Sequence, residues 1–248
     1  MTNRLAWITG ASTGIGRALA LRLARAGWRI AASARGIEAL KSLEEENGAI
    51  RAFPVDVTDA SAVARTAAEI EGAFGPIDLV VANAGTHSPT PADAFDAAVV
   101  RRLIEVNLIG ATNTLAAAMP AMIARKGGHI AIVASVAGYR GLPRAAAYSA
   151  SKAGLIALAE GLKFDLDRAG VKIQVINPGF VRTPLTDKND FPMPFLMEVD
   201  EAVERIVRGL ASDRFEICFP RRFAWMLKLL GLLPDRLYFP LVAKATGA

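Results

Sequence analysis

Short apolar runs alternate with amphipathic stretches along most of the chain. Behind the first run, Ile15, Ala18, Leu19 and Leu23 fall on one stripe at helical spacing. The apolar runs have the length of buried strands, and they occupy residues 5–8, 30–35, 50–55, 77–82, 130–134, 172–177 and 215–219. Such alternation is typical of βαβ units. We therefore predict an α/β fold, doubly wound, with a seven-stranded parallel sheet, helices on both faces, and a ligand cleft at the carboxyl ends of the strands.

The size and composition of the chain agree with one domain. With 248 residues, of which 52% are hydrophobic, the chain can bury one sizeable core. The sequence contains no linker, repeat or low-complexity tract. We predict a single domain over residues 1–220, followed by a C-terminal extension, residues 221–248, that packs on the domain or lies at a subunit interface.

A glycine-rich turn joins the first predicted strand to the first predicted helix. Its glycines have the spacing Gly-x3-Gly-x-Gly, and glycine allows both a tight turn and the close approach of a ligand to the backbone. The free N–H groups and the positive end of the following helix favour a phosphate. We predict that this glycine turn (residues 9–16) binds a dinucleotide pyrophosphate through Gly10, Ser12, Thr13, Gly14, Ile15 and Gly16.

Ser135, Tyr148 and Lys152 form a group suited to proton transfer. Tyr148 and Lys152 are four residues apart, so on a helix they point to the same side. A lysine ammonium favours a nearby phenolate, and we expect Lys152 to lower the pKa of Tyr148 from its usual value of about 10. Ser135 follows the apolar run 130–134, which places it at the ligand-binding edge of the sheet. The group predicts protonation of a carbonyl oxygen while a nicotinamide supplies a hydride.

Further candidate contacts follow the third and fourth predicted strands. Asp56 can accept a hydrogen bond from an adenine amino group, whereas Asp59 fits the N-terminus of a helix better. Asn83, Ala84 and Gly85 come directly after the fourth strand. We expect them to form a wall beside the adenine and its ribose.

These motifs, in this order, make the chain similar to the short-chain dehydrogenase/reductase family over residues 4–220. The resemblance implies a Rossmann-type fold in which Tyr148 is the general acid/base and Ser135 hydrogen-bonds the substrate oxygen. It implies that Lys152 lowers the tyrosine pKa and binds the nicotinamide ribose, and that Asn107 holds a water that links Lys152 to solvent. The further cofactor contacts that it implies are Val57, Pro178, Gly179, Val181 and Thr183.

The choice between the two nicotinamide cofactors depends on the end of the second strand. An NAD enzyme usually has an acidic residue there for the ribose diol, and an arginine suits the 2′-phosphate of NADP. Here Ala34 occupies the acidic position and Arg35 follows it. We therefore predict NADP(H) in preference to NAD(H), with Arg35 and Ser12 at the 2′-phosphate.

Other residues predict a cytoplasmic protein without a metal. The only cysteine, Cys218, has no partner for an internal disulfide, which fits a reducing compartment. The first strand begins close to Met1, so we expect no signal peptide. His87 and His129 are isolated, and we expect no metal site. We expect His129 to face solvent, and His87 can line the substrate cleft.

The net charge of +5 is concentrated near the C-terminus. Residues 214–248 hold six basic and two acidic residues, a net charge of +4, interleaved with aliphatic side chains rather than with the polar or stacking groups that suit nucleic acid. Residues 225–233 are almost entirely apolar but too short to span a bilayer. They can form a subunit interface, contact a membrane surface or cover a hydrophobic substrate. The simplest of these possibilities is that a homo-oligomer, a dimer or a tetramer, buries the segment between subunits.

Three functions are compatible with these features. The first is an NADP(H)-dependent oxidoreductase that interconverts a ketone and a secondary alcohol. The second is a 3-oxoacyl thioester reductase, and the third is a dinucleotide-binding regulatory protein without turnover. The complete tetrad counts against the third function. The apolar residues and prolines of residues 187–198 predict a lid over a small hydrophobic substrate.

Overall fold

The protein contains one parallel β-sheet, seen here in a computed structural model that describes residues 4–187 and 193–247. The strands are β1 (Leu5–Thr9), β2 (Arg29–Ser33), β3 (Ile50–Ala52), β4 (Leu79–Ala82), β5 (His129–Val133), β6 (Lys172–Pro178) and β7 (Glu216–Phe219). Their order across the sheet is β3-β2-β1-β4-β5-β6-β7, and all neighbours are parallel. The predicted seven-stranded parallel sheet is confirmed.

Nine α-helices connect or follow these strands in the part of the chain that the structure describes. They are α1 (Gly14–Arg25), α2 (Ile37–Glu46), α3 (Ala60–Phe74), α4 (Ala97–Ile104), α5 (Gly110–Ala124), α6 (Ala146–Arg168), α7 (Val199–Leu210), α8 (Arg221–Gly231) and α9 (Asp235–Thr246). A π-helical turn, Glu105–Ile109, joins α4 to α5. Short 3-10 turns occupy Ala92–Ala94 and Val136–Gly138.

The sheet is buried on both faces, which explains why its strands are apolar without alternation. Successive residues of a strand point to opposite faces, so Ile8 lies in one core and Trp7 in the other. Leu19 of α1 packs in the first core, and Ile70 of α3 and Leu155 of α6 pack in the second. The helices therefore cover both faces, as predicted.

The strand order creates a crevice beside β1. From β1 the chain adds β2 and β3 on one side, and it then returns to place β4 on the other side. The connections that leave β1 and β4 therefore diverge at their carboxyl ends, where ligands of such sheets bind. Thr9 ends β1 and Ala82 ends β4 at this crevice.

One helical stretch, Ala97–Ala124, is long and apolar enough to cross a membrane by length and composition alone. Its two helices pack against α3, α6 and strands β4 and β5. Contacts of this kind are those of a core helix in an α/β domain.

Candidate active site

Three glycines make the course of the glycine turn possible. Gly10 and Gly14 have φ angles of 68° and 54°, in the left-handed region that favours glycine. Gly16 is required by space, because a Cβ there would lie 2.3 Å from the carbonyl oxygen of Gly10. Gly16 is buried and lies beneath the turn, whereas Gly10 and Gly14 line the cleft above it.

Asn83 fixes the glycine turn from the end of β4. Its Nδ2 donates hydrogen bonds to the carbonyl oxygens of Thr9 (3.0 Å) and Gly10 (3.1 Å). The backbone N–H groups of Asn83 and Ala84 donate to Thr9 Oγ1 at 3.2 and 3.3 Å. Asn83 lines the cleft as predicted, but its amide holds the turn in addition to forming a wall.

The start of α1 is suited to an anion. The N-cap residue Thr13 makes no side-chain capping hydrogen bond, and the first turn of α1 contains no acidic residue. The helix therefore presents unneutralised N–H groups and the positive end of its dipole to the cleft. Because Gly10 and Gly14 add no side chains above them, the backbone of this cradle fits the pyrophosphate of a dinucleotide.

Ser135 follows β5 directly, at the carboxyl edge of the sheet. Its Oγ accepts a hydrogen bond from the N–H of Ala137 at 3.1 Å, which caps the 3-10 turn behind it. The same hydroxyl donates to the carbonyl oxygen of Pro178, at the end of β6, at 3.4 Å. Ser135 is thus held between two adjacent strand ends and lines the cleft.

Tyr148 and Lys152 lie one turn apart near the start of α6. Lys152 is 4% exposed, and its Nζ donates a hydrogen bond of 2.9 Å to the carbonyl oxygen of Val133. The same Nζ lies 5.7 Å from the centre of the Tyr148 ring. Both residues line the cleft beside Ser135, so the structure brings the predicted proton-transfer group together.

Burial is the main cause of the pKa shifts of Tyr148 and Lys152. Burial raises the pKa of the Tyr148 phenol, and the hydrogen bond with Ser135 acts in the opposite direction without reversing it. Burial also lowers the pKa of Lys152 to about 8. The expectation that Lys152 lowers the pKa of Tyr148 is therefore wrong for the protein alone. The ammonium group bonds to Val133, while the pKa of Tyr148 is shifted by desolvation of the phenol and, in the opposite direction, by the hydrogen bond with Ser135.

Asn107 is buried in the π-helical turn and connects three segments. Its Oδ1 accepts from the N–H of Thr86 at 2.7 Å, and its Nδ2 donates to the carbonyl oxygen of Thr86 and to Ser151 Oγ, both at 3.0 Å. Ser151 Oγ in turn donates to the carbonyl oxygen of Tyr148 at 2.7 Å. Both amide hydrogens are used, so a water held by this side chain would have to donate to Oδ1.

At one end of the cleft, Arg35 and Asp56 belong to its lining. Asp56 Oδ1 accepts from the N–H (3.0 Å) and the Oγ1 (2.8 Å) of Thr58. These hydrogen bonds hold the pKa of Asp56 below its ordinary value, and the charges of Arg35 and Arg102 add to this effect. Asp59, not Asp56, caps the next helix, because its side chain accepts from the N–H of Ala62.

The loop after β6 closes the opposite end of the cleft. Gly179 donates its N–H to the carbonyl oxygen of Phe219 at 2.7 Å, and Val181 is buried and pairs with Met197. Thr183 approaches the glycine turn: a Cβ on Gly14 would lie 3.2 Å from its Cγ2. The loop and the glycine turn therefore enclose the cleft from two sides.

The resulting cleft has a volume of about 390 Å³. The predicted site residues that line it are Gly10, Ser12, Thr13, Gly14, Ile15, Arg35, Asp56, Val57, Asn83, Ala84, Gly85, Ser135, Tyr148, Lys152, Pro178, Gly179, Val181 and Thr183. Of the predicted residues, Gly16 and Asn107 lie behind this lining. Gly16 packs beneath Gly10, and Asn107 bonds to Ser151, which in turn bonds to the backbone of Tyr148.

Comparison with known proteins identifies the family. The family model described as short chain dehydrogenase matches residues 4–192. The chain belongs to the short-chain dehydrogenase family.

Its relatives and structural neighbours agree with this assignment. An uncharacterized oxidoreductase of Myxococcus xanthus is 43% identical over 242 residues, which cover 96% of each chain. A short-chain dehydrogenase from Streptomyces avermitilis has a TM-score of 0.84 at 25% identity, with 98% of this chain and 97% of that chain covered. A variant of actinorhodin polyketide ketoreductase with NADPH has a TM-score of 0.79 at 25% identity and covers 87% of this chain and 95% of its own.

This short-chain dehydrogenase is therefore an oxidoreductase of the CH–OH/C=O class, and its family binds NAD(P). The nicotinamide cofactor would be held by the cradle at the glycine turn. The regulatory protein without turnover, the third function considered above, is set aside by these findings.

The sequence did not single out Arg102 of the short-chain dehydrogenase. Arg102 is exposed on α4, lines the cleft and contributes its charge at Asp56. Its position 67 residues after Arg35 gives no local signal that the two residues line the same cleft. The paired arginines 101 and 102, in an otherwise apolar helix, are the one feature that could have drawn attention to it.

An aromatic cluster beside the loop after β6 was also missed. The ring of Phe223, at the start of α8, lies 5.8 Å from Phe180 and 5.7 Å from Phe195, measured between ring centres. Phe195 belongs to the predicted lid, and the other part of that lid, residues 188–192, lies outside the described residues.

Of the two histidines of the short-chain dehydrogenase, His129 is placed differently from expectation. His129 is the first residue of β5, and burial together with the charge of Lys172 lowers its pKa to about 4, so the expectation of a solvent-facing His129 is wrong. His87 packs edge-on against the Tyr148 ring, with ring centres 4.9 Å apart. No group of three or more potential metal ligands occurs among the described residues.

Proposed function

We propose that this short-chain dehydrogenase is an NADP(H)-dependent enzyme that interconverts ketones and secondary alcohols of hydrophobic substrates. The observation that carries the cofactor choice is at the adenosine end of the cleft. There Arg35 and Arg102 line the wall, and β2 is followed by the buried Ala34 instead of a carboxylate. A 2′-phosphate would meet two guanidinium groups, whereas a ribose diol would lack its usual acceptor.

The chemistry follows from the protonation of the site residues. The bound cofactor would supply the hydride, and Tyr148 would donate a proton to the carbonyl oxygen of the substrate. Because burial keeps the phenol protonated at neutral pH, the resting site holds the acid that ketone reduction needs. Ser135 would hydrogen-bond the same oxygen, and Lys152, bonded to Val133, would place its positive charge beside the phenolate that forms.

Several residues position this group. Asn107 connects the loop at Thr86 to Ser151, one turn from Tyr148 on α6. Asn83 holds the glycine turn against β4. These contacts fix the cradle and the proton donor relative to each other before a ligand binds.

The hydrophobic character of the substrate is supported by the aromatic cluster of Phe180, Phe195 and Phe223. Phe180 follows the Pro178–Gly179 pair of the cleft, and Phe223 packs against Val136, the neighbour of Ser135. A substrate that extends from Ser135 toward this cluster would meet apolar surface. This arrangement favours an aliphatic or aromatic ketone over a sugar.

A 3-oxoacyl thioester reductase is the second candidate. It is supported by the similarity to a polyketide ketoreductase that was solved with NADPH. Rates of NADPH oxidation with a set of hydrophobic ketones and with 3-oxoacyl thioesters of matched chain length would distinguish the two. The thioester should be the better substrate only if this second candidate is correct.

We further propose a cytoplasmic homo-oligomer, a dimer or a tetramer. Large apolar side chains that remain exposed on the single chain, among them Phe164 of α6 and Ile123 of α5, support self-association. Sedimentation of the intact protein would measure the assembly, and a monomer at micromolar concentration would contradict it.

The cofactor assignment is tested by titration of NADPH and NADH, followed by protein fluorescence. A charge-assisted contact to the 2′-phosphate should make NADPH bind roughly ten- to a hundredfold more tightly. Arg35→Gln should remove most of this difference by weakening NADPH alone. Arg65→Gln, at an exposed position of α3 away from the cleft, is the matched control. Equal or tighter binding of NADH by the wild-type protein would refute the assignment.

A further inference from the structure

The C-terminal helices α8 and α9, joined by residues 232–234 and called the C-terminal hairpin from here on, expose an unusual amount of apolar surface. Leu232 is 81% exposed, and Trp225, Leu229 and Phe239 are each more than half exposed. Met226, Leu237 and Leu241 are exposed as well. Isolated exposed apolar side chains are common on proteins, but a concentration within two consecutive helices marks an interaction surface.

The apolar residues of α8 fall on one side of that helix. Trp225, Leu229 and Leu232 are spaced four and three residues apart, which places them on a common face. The other side of α8 carries Phe223 and Ala224, which are buried against Val136. The exposed face of α8 is therefore a second apolar face, in addition to the one that the domain core uses.

Cations accompany this apolar surface. Arg221, Arg222, Arg236 and Lys244 are exposed at the starts and ends of the two helices. The acidic residues nearby are already paired: Glu216 with Lys228, and Asp235 with Arg140. The surface formed by these four cations and the seven exposed apolar residues, hereafter the hairpin surface, is thus both apolar and positively charged.

The hairpin surface is held in place by the domain. Arg140 donates hydrogen bonds to the carbonyl oxygens of Gly231 (3.1 Å) and Leu233 (2.9 Å). Its Cζ lies 3.7 Å from the centre of the Tyr238 ring. Tyr238 is buried, and its hydroxyl donates to the carbonyl oxygen of Gly141 at 2.8 Å. The exposed residues therefore belong to a structured element and not to a frayed terminus.

We propose that the hairpin surface docks on an anionic lipid bilayer. A symmetric contact with a second copy would bring the same four cations of each chain together, and their repulsion would oppose it. Anionic headgroups complement those cations, while the exposed leucines and aromatic rings enter the boundary between headgroups and acyl chains. The sequence left a subunit interface and a membrane surface open for this segment. The positive charge of the hairpin surface favours the membrane.

Docking of this kind would also place the substrate side of the cleft near the bilayer. Phe223, at the start of α8, contacts Phe195 and Phe180 in the segment that follows β6. A hydrophobic substrate could then pass from lipid to the cleft. This consequence depends on the proposed function, whereas docking itself does not require turnover.

The test is co-sedimentation of the full chain with vesicles, without cofactor or substrate. We expect binding to vesicles of phosphatidylcholine with phosphatidylglycerol, weaker binding at high salt, and little binding to phosphatidylcholine alone. Arg221→Gln, Arg222→Gln and Arg236→Gln combined should weaken binding roughly a hundredfold, about fivefold for each cation. Leu229→Ser with Leu232→Ser should weaken it at least about tenfold. Phe95→Ser with Arg65→Gln, which alters an exposed aromatic ring before α4 and an exposed cation on α3, should leave it unchanged.

A spectroscopic readout makes the test independent of the variants. Trp225 is exposed, whereas Trp7 is buried and Trp28 is partly buried, so a blue shift of emission with anionic vesicles should report Trp225 entering lipid. Absence of binding, binding that the hairpin variants do not change, or binding equal with and without anionic lipid would overturn the proposal. Conversion of an oligomer to a monomer by Leu229→Ser with Leu232→Ser would overturn it too, because that result would show that a second copy of the chain buries the hairpin surface.

Discussion

Lys152 Nζ donates a hydrogen bond of 2.9 Å to the carbonyl oxygen of Val133, the last residue of β5. This contact joins the helix that carries Tyr148 to the strand that ends just before Ser135. It also buries the ammonium group, and the pKa of Lys152 falls to about 8 as a result. Lys152 is therefore held in a position that disfavours its own charge.

Replacement of Lys152 by methionine should reveal how much stability the protein loses by burying the charged lysine. The unfolded chain keeps the lysine protonated up to its ordinary pKa, while the folded protein releases the proton above about 8, so the wild-type protein gains stability from this group as pH rises between those values. The Lys152→Met variant lacks this pH-dependent increase in stability. The free energy of unfolding of the variant minus that of wild type should therefore fall by roughly 2 to 3 kcal/mol between pH 7 and pH 10.

Urea unfolding at both pH values measures this difference. Lys41→Met, at an exposed position of α2, is the control and should show no such pH dependence. An unchanged difference between Lys152→Met and wild type at the two pH values would show that Lys152 is not perturbed.

Gly16→Ala should damage the glycine turn. The added methyl group would lie 2.3 Å from the carbonyl oxygen of Gly10 and 2.5 Å from Asn83 Nδ2, so the brace between β4 and the turn must shift. We expect a loss of about 1–3 kcal/mol in the free energy of unfolding and weaker binding of NADPH by calorimetry. Gly161→Ala, on α6, where a Cβ meets nothing within 4 Å, should be neutral or stabilising. Unimpaired cofactor binding by Gly16→Ala would contradict the role of this packing.

His129 should make the protein sensitive to acid. In the folded protein its pKa is about 4 because of burial and Lys172, so as the pH falls the unfolded chain takes up this proton first. Stability is then lost from about pH 6.5 downward, and the wild-type protein should lose about 2 kcal/mol from this group between pH 7 and pH 5. His129→Asn should flatten that part of the pH profile in urea unfolding. A profile that the substitution leaves unchanged would mean that His129 titrates normally.

The order of the C-terminal hairpin should depend on Arg140. Arg140→Ala removes two hydrogen bonds to backbone carbonyls, the ion pair with Asp235 and the stacking on Tyr238. Hydrogen exchange of the α9 amides should then accelerate at least about tenfold, while exchange in the sheet stays constant. Arg168→Ala, which removes only the ion pair with Asp165 on the same helix, should have no effect on α9. Unaltered exchange in α9 would show that the hairpin is held by other contacts.

The sheet and the cleft were predictable because their signals are local. Buried strands are apolar runs, the glycine turn follows β1 directly, and Ser135 comes just after β5, so these residues were recognised from their immediate neighbours. Others, such as Asn107 and Thr183, were expected only from the family resemblance. The strand ends differ from the prediction by a few residues. For example, β3 ends at Ala52, although the N–H groups of Phe53 and Val55 still donate to the carbonyl oxygens of Ala32 and Ala34.

What the sequence did not reveal depends on contacts between distant segments. Arg102, on α4, lines the same cleft as Arg35 although the two residues are far apart in the sequence. The direction of the pKa shift at Tyr148 depends on burial by several elements, which the four-residue spacing to Lys152 does not report. Similarly, the apolar pattern of residues 225–233 could not show that Phe223 faces the core while Trp225 and Leu229 face outward.

The most direct test of the central claim is the rate of NADPH oxidation with a hydrophobic ketone, compared between wild type and Tyr148→Phe. The substitution removes the phenolic hydroxyl and keeps the ring that packs against His87. We predict a loss of at least about a hundredfold in that rate, because the proton donor is gone, while NADPH binds nearly as tightly as to wild type. A variant that kept more than about a tenth of the wild-type rate would contradict the assignment of Tyr148 as the proton donor.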